Sequence, residues 1–264
     1  IYTLSLHDAL PISQLVKEKV KKAVVLGITA VLTVGLCCGI LINKREYDDA
    51  YNVLPLTKSD IKNADKNNAD KLMVVAHPDD EFLWGGGHLM DKGYLVVCVT
   101  RGKDKVRSKE FKDLVEASGN SPLIMNYPDK VAGRRDNWEK VYNQIENDID
   151  LAMKYKNWKL ISTYNANGQY GHYHHKMVHN MVTDVYEKEK IKGDLYYFGK
   201  YYRKCVIDDH RDELIKMSDK RIEFKNGLKK YYDSQRRVVN NLWHMADYEM
   251  WVNYKDNTLD CAEE

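Results

Sequence analysis

The sequence lacks a charge surplus. Its 41 lysines and arginines against 39 acids leave a formal net charge of +2. The two signs are interspersed over most of the chain, so no basic stripe is available to neutralise phosphates, and no nucleic-acid partner is expected. A cysteine framework is missing too. Of the five cysteines, Cys37 and Cys38 sit inside an apolar run, while Cys98, Cys205 and Cys261 form an odd, widely spaced set. Neither a disulfide scaffold nor a zinc-finger spacing can be built from them. With 44% hydrophobic and 30% charged residues over 264 positions, the remainder suits one globular domain with appendages.

The appendages lie at the amino-terminal end. Tyr2 to Ser13, "YTLSLHDALPIS", back-translates in one frame into a sequence resembling the adapter used in short-read DNA library preparation. Residues 1–13 are therefore set aside as an artefact. Residues 14–22 form a basic segment, followed by a charge-free run over 23–42, "AVVLGITAVLTVGLCCGILI". As a helix rising ~1.5 Å per residue, this run would cross ~30 Å of hydrocarbon, so it reads as a transmembrane anchor. The alternatives are a cleavable signal or a buried core helix, but the run exceeds the usual ~7–15-residue signal core and has no clear A-x-A site. Before it, Lys17, Lys19, Lys21 and Lys22 outweigh Glu18; after it, Glu46, Asp48 and Asp49 outweigh Lys44 and Arg45. The positive-inside rule then predicts a single-pass protein of the cell membrane with its bulk outside the cytoplasm. Residues 43–71 are polar, contain the near-repeat "NADKNNADK" and have no sustained periodicity, which predicts a stalk. Residues 252–264 read as a polar tail.

From Leu72 onward the pattern changes. Short apolar runs at 72–76, 94–100, 122–127, 159–164 and 194–198 alternate with helix-length amphipathic stretches. This alternation predicts βαβ units, a mostly parallel sheet and a Rossmann-like three-layer α/β sandwich over 72–251. Residues 211–251 are expected to be helical and to pack on the sheet, with Val238, Val239, Leu242, Trp243, Ala246 and Met250 on the apolar face.

Ligands of such folds bind beyond the carboxyl ends of the strands, which is where "LMVVAHPDDEFLWGGG" places its polar residues. Pro78 biases His77 towards extended backbone, and a helix can start near Asp79. Asp79, Asp80 and Glu81 could be ordinary acids of a first helical turn. That reading leaves the imidazole beside them unexplained, because histidine with carboxylates supplies the N and O donors that bind zinc. A second cluster follows a later apolar run: "YGHYHHKMVH" carries His172, His174, His175 and His179. With Met177, Val178, Met181, Val182 and Val185 at helical spacing, a helix from about His174 would turn His175 to its buried side. Three protein ligands with one open position are what a hydrolytic zinc centre needs, and His77, Asp80 and His175 are the expected set.

"AHPDDE" with a distant "YGHxxH" resembles the GlcNAc-phosphatidylinositol de-N-acetylase family, also called PIG-L or LmbE-like, over roughly Lys71 to Trp251. The resemblance implies one Zn2+ per chain on His77, Asp80 and His175, and Asp79 as general base and acid. It further implies a protonated His172 that stabilises an oxyanion, with Tyr170 beside it. "VRSKEFKDLVEASG" and "NYPD" are similar to the family's arginine helix and sugar-binding loop, which implies that Arg107 and Asp129 contact substrate. The expected activity is removal of the acetyl group from an N-acetylglucosamine-type sugar in a glycan or glycolipid near the membrane. Two alternatives stand beside it: a catalytically silent carbohydrate-binding protein that keeps zinc, and an amide hydrolase acting on a small non-glycan conjugate. The aromatic run Tyr196 to Tyr202 is assigned to core packing ahead of sugar stacking.

One departure matters. Most bacterial members carry Pro-Asp inside "HPDH", where this chain has Tyr173 and His174. A second imidazole cannot supply the negative charge that would keep His172 protonated. With no other acid in the gap, the His172 pKa is expected to fall and the activity profile to move towards acid. A His174→Asp variant should therefore lose activity at higher pH than the parent, and superimposable pH–rate profiles would dispose of the idea.

Overall fold

The computed structural model describes residues 12–256, except for the side chains of 12–15, 30 and 37–46. Residues 1–11 of the expected artefact at 1–13 and the last eight residues lie outside that description. The chain divides between Asp49 and Ala50 into two compact units.

In the first unit the described residues form most of one helix, α1 (Ile12–Tyr51). Val20, Leu26, Val31 and Leu36 are exposed along it, and Thr29 and Thr33 donate their hydroxyls to carbonyls one turn back, at 2.9 and 3.0 Å. Among the described residues, no helix is long and apolar enough to cross a membrane. The anchor expected over 23–42 is thus not found as a span, and part of it, Ala30 and residues 37–42, lies outside the described side chains.

The second unit is α/β and Rossmann-like. In chain order it contains α2 (Lys58–Ala64), β1 (Lys71–Val75), α3 (Asp80–Gly85), β2 (Tyr94–Thr100), α4 (Lys105–Ala117), β3 (Ser121–Tyr127) and a two-residue hairpin, β4 (Lys130–Val131) with β5 (Arg134–Arg135). There follow α5 (Tyr142–Lys154), β6 (Leu160–Thr163), the short turn α6 (Gly168–Gly171), α7 (Tyr173–Lys188), β7 (Asp194–Tyr197), α8 (Asp219–Leu228), α9 (Arg236–Leu242) and β8 (Val252–Asn253). The main sheet has the order β3-β2-β1-β6-β7-β8. Neighbours are parallel as far as β7, and β8 pairs antiparallel at the edge. Leu72–Val75 and all of β2 are buried, which is why these strands read as continuous apolar runs. β3, at the opposite edge, alternates buried and half-buried residues. α5 packs on α7, α7 on β1 and β6, and α4 on β3.

Two expected boundaries move. Residues 50–71, read as the outer part of a stalk, join the compact unit: Ile61 and Ala69 are buried in its core, and the Leu56 amide donates to Asp148 at 3.0 Å. A single buried face on a helix as short as α2 is too little to register as periodicity. Residues 252–253, read as tail, close the sheet as β8. The stretch 211–251 stays with the sheet, but in short pieces in place of one long amphipathic helix; Val239 is buried while Val238 is exposed.

The carboxyl-terminal segment is tied to the strand-end helix α3 by buried charge. Glu249 accepts from the Gly87 amide at 2.9 and 3.0 Å, the His88 amide at 3.1 Å and His88 Nδ1 at 2.8 Å. It also pairs with buried Lys225 at 2.7 Å, whose Nζ donates to Leu83 O at 2.8 Å. The glycines make room for this. A Cβ on Gly85 would lie 2.7 Å from Met73 Cε, and one on Gly87 would collide with the Met217 sulfur.

Burial alone would raise the Glu249 pKa, yet Lys225 and His88 hold it at about 2, against 4.5 for a free glutamate. Because the folded value is depressed, this stabilisation is complete above pH 4.5 and is lost as pH falls through about 2. Glu249→Gln should strand the Lys225 charge and cost about 3–5 kcal/mol at neutral pH, as measured by denaturant unfolding. A loss below 1 kcal/mol would mean that the pair contributes little.

Candidate metal centre

β1 lies between β2 and β6, so the crevice between β1 and β6 is where the chain's path across the sheet reverses. Both sequence clusters leave the sheet there, His77 after β1 and His172–His175 after β6. A crevice at such a switch point is the usual ligand site of an open parallel sheet.

On the β1 side, Asp79 has φ +123° and ψ −23°, a conformation that costs a non-glycine residue about 1–3 kcal/mol. Its side chain makes no cap hydrogen bond to α3, which rules out the simple helix-start reading. The carboxylate instead faces Arg107, 3.2 Å away. The backbone is held by its neighbours: Asp79 N–H donates to Glu81 Oε2 at 3.2 Å, and the Tyr232 hydroxyl donates to Glu81 Oε1 at 2.5 Å. Asp80 is buried, with Oδ2 accepting from the His77 amide at 2.9 Å and from the Tyr164 hydroxyl at 2.6 Å. The same hydroxyl accepts from Ala76 N–H at 2.7 Å.

On the β6 side, Gly168 and Gly171 have φ of +61° and +85°. These left-handed turns carry the chain to α7, which begins at Tyr173 and turns His175 inward as expected. His175 is fully buried and stacks on Tyr164, with centroids 4.0 Å apart and planes 11° apart.

His77 Nδ1 lies 3.1 Å from Asp80 Oδ2, and His175 Nε2 lies 3.3 Å from Asp80 Oδ1. One ligand atom from each of the three residues falls within 4.8 Å of the others. Ligands at 2.0–2.2 Å around a tetrahedral ion stand ~3.4 Å apart, so the spacing fits. Both His175 ring nitrogens are buried and neither makes a well-aligned hydrogen bond, although Nε2 faces Asp80, an arrangement that suits an ion on one of them. The residues present therefore fit a divalent ion, with His77, Asp80 and His175 to hold it. Among the described residues, His77, His172 and His174 form a second convergent set.

The remaining expected residues are all near, but engaged differently. Arg107, oriented by a start to α4 in which Asp104 accepts from its amide at 3.1 Å, donates to Pro78 O and faces Asp79; it braces the acid. Asp129 accepts from Arg101 Nε at 2.9 Å and lies 3.5 Å from His77 Nε2. Beside it opens a cavity of about 300 Å³ bordered by Arg101, Lys103, Asn126 and Lys130. Tyr170 is 43% exposed, its ring 5.9 Å from His172, 5.6 Å from His175 and 6.1 Å from Trp84. Tyr197 and Phe198 are core residues, whereas Tyr201 reaches the Tyr170 ring at 5.8 Å. His179 is structural, its Nδ1 2.8 Å from Tyr164 O.

Sequence reading missed Tyr164, Tyr232 and Trp138. Tyr164 ends an apolar run as an ordinary strand aromatic, and Tyr232 and Trp138 lie far from either motif. Only the position of Tyr164, at the end of the strand beside β1, could have pointed to it.

The charges are interdependent. Burial opposes protonation of His77, but Asp129 and Asp80 raise it to about 9, so a proton occupies the ligand position until an ion displaces it. Burial is the largest obstacle to ionising Asp80, but His175 and His77 hold it well below the carboxylate range. Burial raises Asp79 to about 7 against the pull of Arg107. Burial raises Glu81 to about 8, with the Tyr232 hydroxyl opposing. Burial, then His175 and His77, depress His172 to about 2, and its Nδ1 has no hydrogen-bond partner. A neutral His172 differs from the protonated ring that the resemblance implies, and burial is the main reason, reinforced by His175 and His77.

Fold and site thus define an α/β protein with a candidate metal centre at the switch point of its sheet. Residues 72–186 match the family model described as PIG-L: GlcNAc-PI de-N-acetylase. An uncharacterized protein, L374, of Acanthamoeba polyphaga mimivirus is 27% identical over 215 residues, 75% of this chain and 86% of the relative. Among solved structures, a deacetylase–bog complex from the teicoplanin biosynthesis pathway is 13% identical, with a TM-score of 0.52 over 71% of this chain and 100% of that one. A triple mutant of a deacetylase of that pathway is 13% identical, with a TM-score of 0.53 over 72% and 100%. At such identities the likeness is one of fold.

Tyr164→Phe keeps the ring over His175 and removes both hydrogen bonds that orient Asp80 and close β1. Zinc affinity, read by chelator competition, should fall about 10- to 100-fold, and an unchanged affinity would remove Tyr164 from the site.

Proposed function

We propose that this protein is a zinc-dependent N-deacetylase that hydrolyses the acetamide of an N-acetylglucosamine-type sugar. The observation that carries the reading is the convergence of His77, Asp80 and His175 beside an acid, Asp79, that is not needed as a ligand and is held in strained backbone. The match of residues 72–186 to a de-N-acetylase family model supports the choice of reaction.

His77, Asp80 and His175 would hold one ion, whose chemistry when bound is to polarise the acetamide carbonyl and acidify a neighbouring water. Asp79 takes the proton from that water as it attacks the carbonyl carbon. With a pKa raised to about 7 by burial and restrained by Arg107, it is basic enough to accept the proton and acidic enough to return it. The neutral His172 ring donates an N–H to the tetrahedral oxyanion. As the C–N bond breaks, Asp79 passes its proton to the departing amine, leaving acetate and an amino sugar. The polar cavity beside Asp129 and the partly exposed Tyr170 ring flank the centre as positions for sugar hydroxyls and a sugar face.

Acetate release from N-acetylglucosaminides should be abolished by chelation and restored by zinc. Asp79→Ala should lower kcat by about 10²- to 10⁴-fold while keeping the metal. Because Asp79 must be ionised to act, the rate should rise with pH through its titration, at about 7 or below, since the ion's charge favours the carboxylate. Bound zinc without acetate from any of a series of N-acetylated glycans would favour a sugar-binding protein instead.

A further inference from the structure

His174 takes no part in the steps above, yet it is fully buried and both ring nitrogens are engaged. Its Nε2 lies 2.7 Å from the backbone oxygen of Asp136. A carbonyl has no proton to give, so Nε2 carries the hydrogen and, in a neutral ring, Nδ1 carries the lone pair. The ring has every reason to be neutral: it is buried, it lies flat on the Trp138 indole at 4.0 Å and 4°, and the nearest acid, Asp129, is 3.9 Å away. His174 Nδ1 lies 3.0 Å from His77 Nε2, which must then be the donor. In the neutral form of His77 the lone pair is then on Nδ1, the nitrogen 3.1 Å from Asp80 Oδ2.

We propose that His174 is a positioning residue for the metal centre: a buried relay from the Asp136 carbonyl through His174 selects the His77 tautomer whose Nδ1 faces the ion. The proposal rests on the metal site described above. Once His77 gives up its second proton, Nδ1 and Asp80 Oδ2 are two acceptors face to face, an arrangement that repels unless a cation stands between them.

The relay is anchored at its far end. Asp136 N–H donates to Asp129 O at 2.9 Å, Trp138 N–H to Asp136 Oδ1 at 2.7 Å, and Trp138 Nε1 to Pro128 O at 2.6 Å. The Tyr51 hydroxyl donates to the Asp136 carboxylate. The loop therefore presents a fixed carbonyl to a fixed ring. His77, His172 and His174 also converge closely enough to hold an ion of their own. Filling both sites would require His77 to surrender both ring protons, which favours the relay over a second ion.

The test is zinc affinity and stoichiometry of the full chain, by competition with a chromophoric chelator. His174→Phe keeps a flat ring for Trp138 but cannot accept a hydrogen bond, and should weaken zinc about 10- to 100-fold. His174→Asn, whose amide oxygen can occupy the place of Nδ1, should stay close to the parent, which binds one ion. Unchanged affinity in His174→Phe, or equal weakening in both variants, overturns the proposal. So does a parent that binds two ions and falls to one in His174→Phe, since His174 would then be a ligand. Long-range ¹H–¹⁵N spectra of the zinc-loaded parent need no variant and should place the His77 proton on Nε2; a proton on Nδ1 overturns the relay. Acetate release plays no part in these readouts. A parent that takes up no zinc defeats this proposal and the proposed function together, whereas an unchanged His174→Phe defeats this proposal alone.

Discussion

The pairing of β1 with β6 is the constraint on which the rest depends. Lys71, Leu72 and Met73 lie opposite Leu160, Ile161 and Ser162, so two segments remote in sequence leave the sheet side by side. A parallel pair sends both chains out at the same end. That single fact brings an imidazole and a carboxylate from one strand to within contact of an imidazole from the next. Tyr164 locks the junction, joining Ala76 and Asp80 on one strand's exit to the ring of His175 beyond the other. Without this pairing the two motifs would be a helix start and a histidine-rich turn.

Much of the fold was legible because it is local. Five strands lie within two residues of where apolar runs placed them, since buried parallel strands must be apolar on both faces. The candidate ligands were legible because few other arrangements bring histidine and aspartate together at a strand end. The rest depends on distance. Tyr232 steadies Glu81 from the far end of the chain, and nothing near Tyr232 in sequence marks it. Arg107 is expected from its motif to contact substrate; its guanidinium also reaches Asp79, a partner that the motif leaves open. The stalk failed for a different reason: a helix with Ile61 alone buried has no period to detect.

The family match ends at residue 186, yet much of what holds α3 comes from beyond it. Lys225 donates to Leu83 O, Glu249 binds the Gly87 amide and the Trp251 indole donates to Trp84 O. α3 carries Asp80 in its first turn, so the carboxyl-terminal segment sets the orientation of a candidate ligand without contributing one. Short helices suit that task better than one long helix would. Each can aim a polar side chain at the exposed carbonyls and amides where α3 ends, groups that a helix leaves unsatisfied by construction.

The electrostatics of the centre make the same point from the opposite direction. Four imidazole rings crowd together, with His77 centroids 4.7, 5.3 and 5.5 Å from those of His172, His174 and His175. Burial and mutual repulsion keep His172, His174 and His175 below their usual pKa, so only His77, beside Asp80 and Asp129, holds a proton readily. A protein interior has little reason to collect so many neutral, lone-pair-bearing nitrogens: each forgoes solvation, and His175 finds no donor in exchange. A divalent ion held by His77, Asp80 and His175 would resolve the conflict, supplying positive charge beside Asp80 and a partner for the His77 and His175 lone pairs. The crowding of these side chains is thus itself an argument for a cation among them.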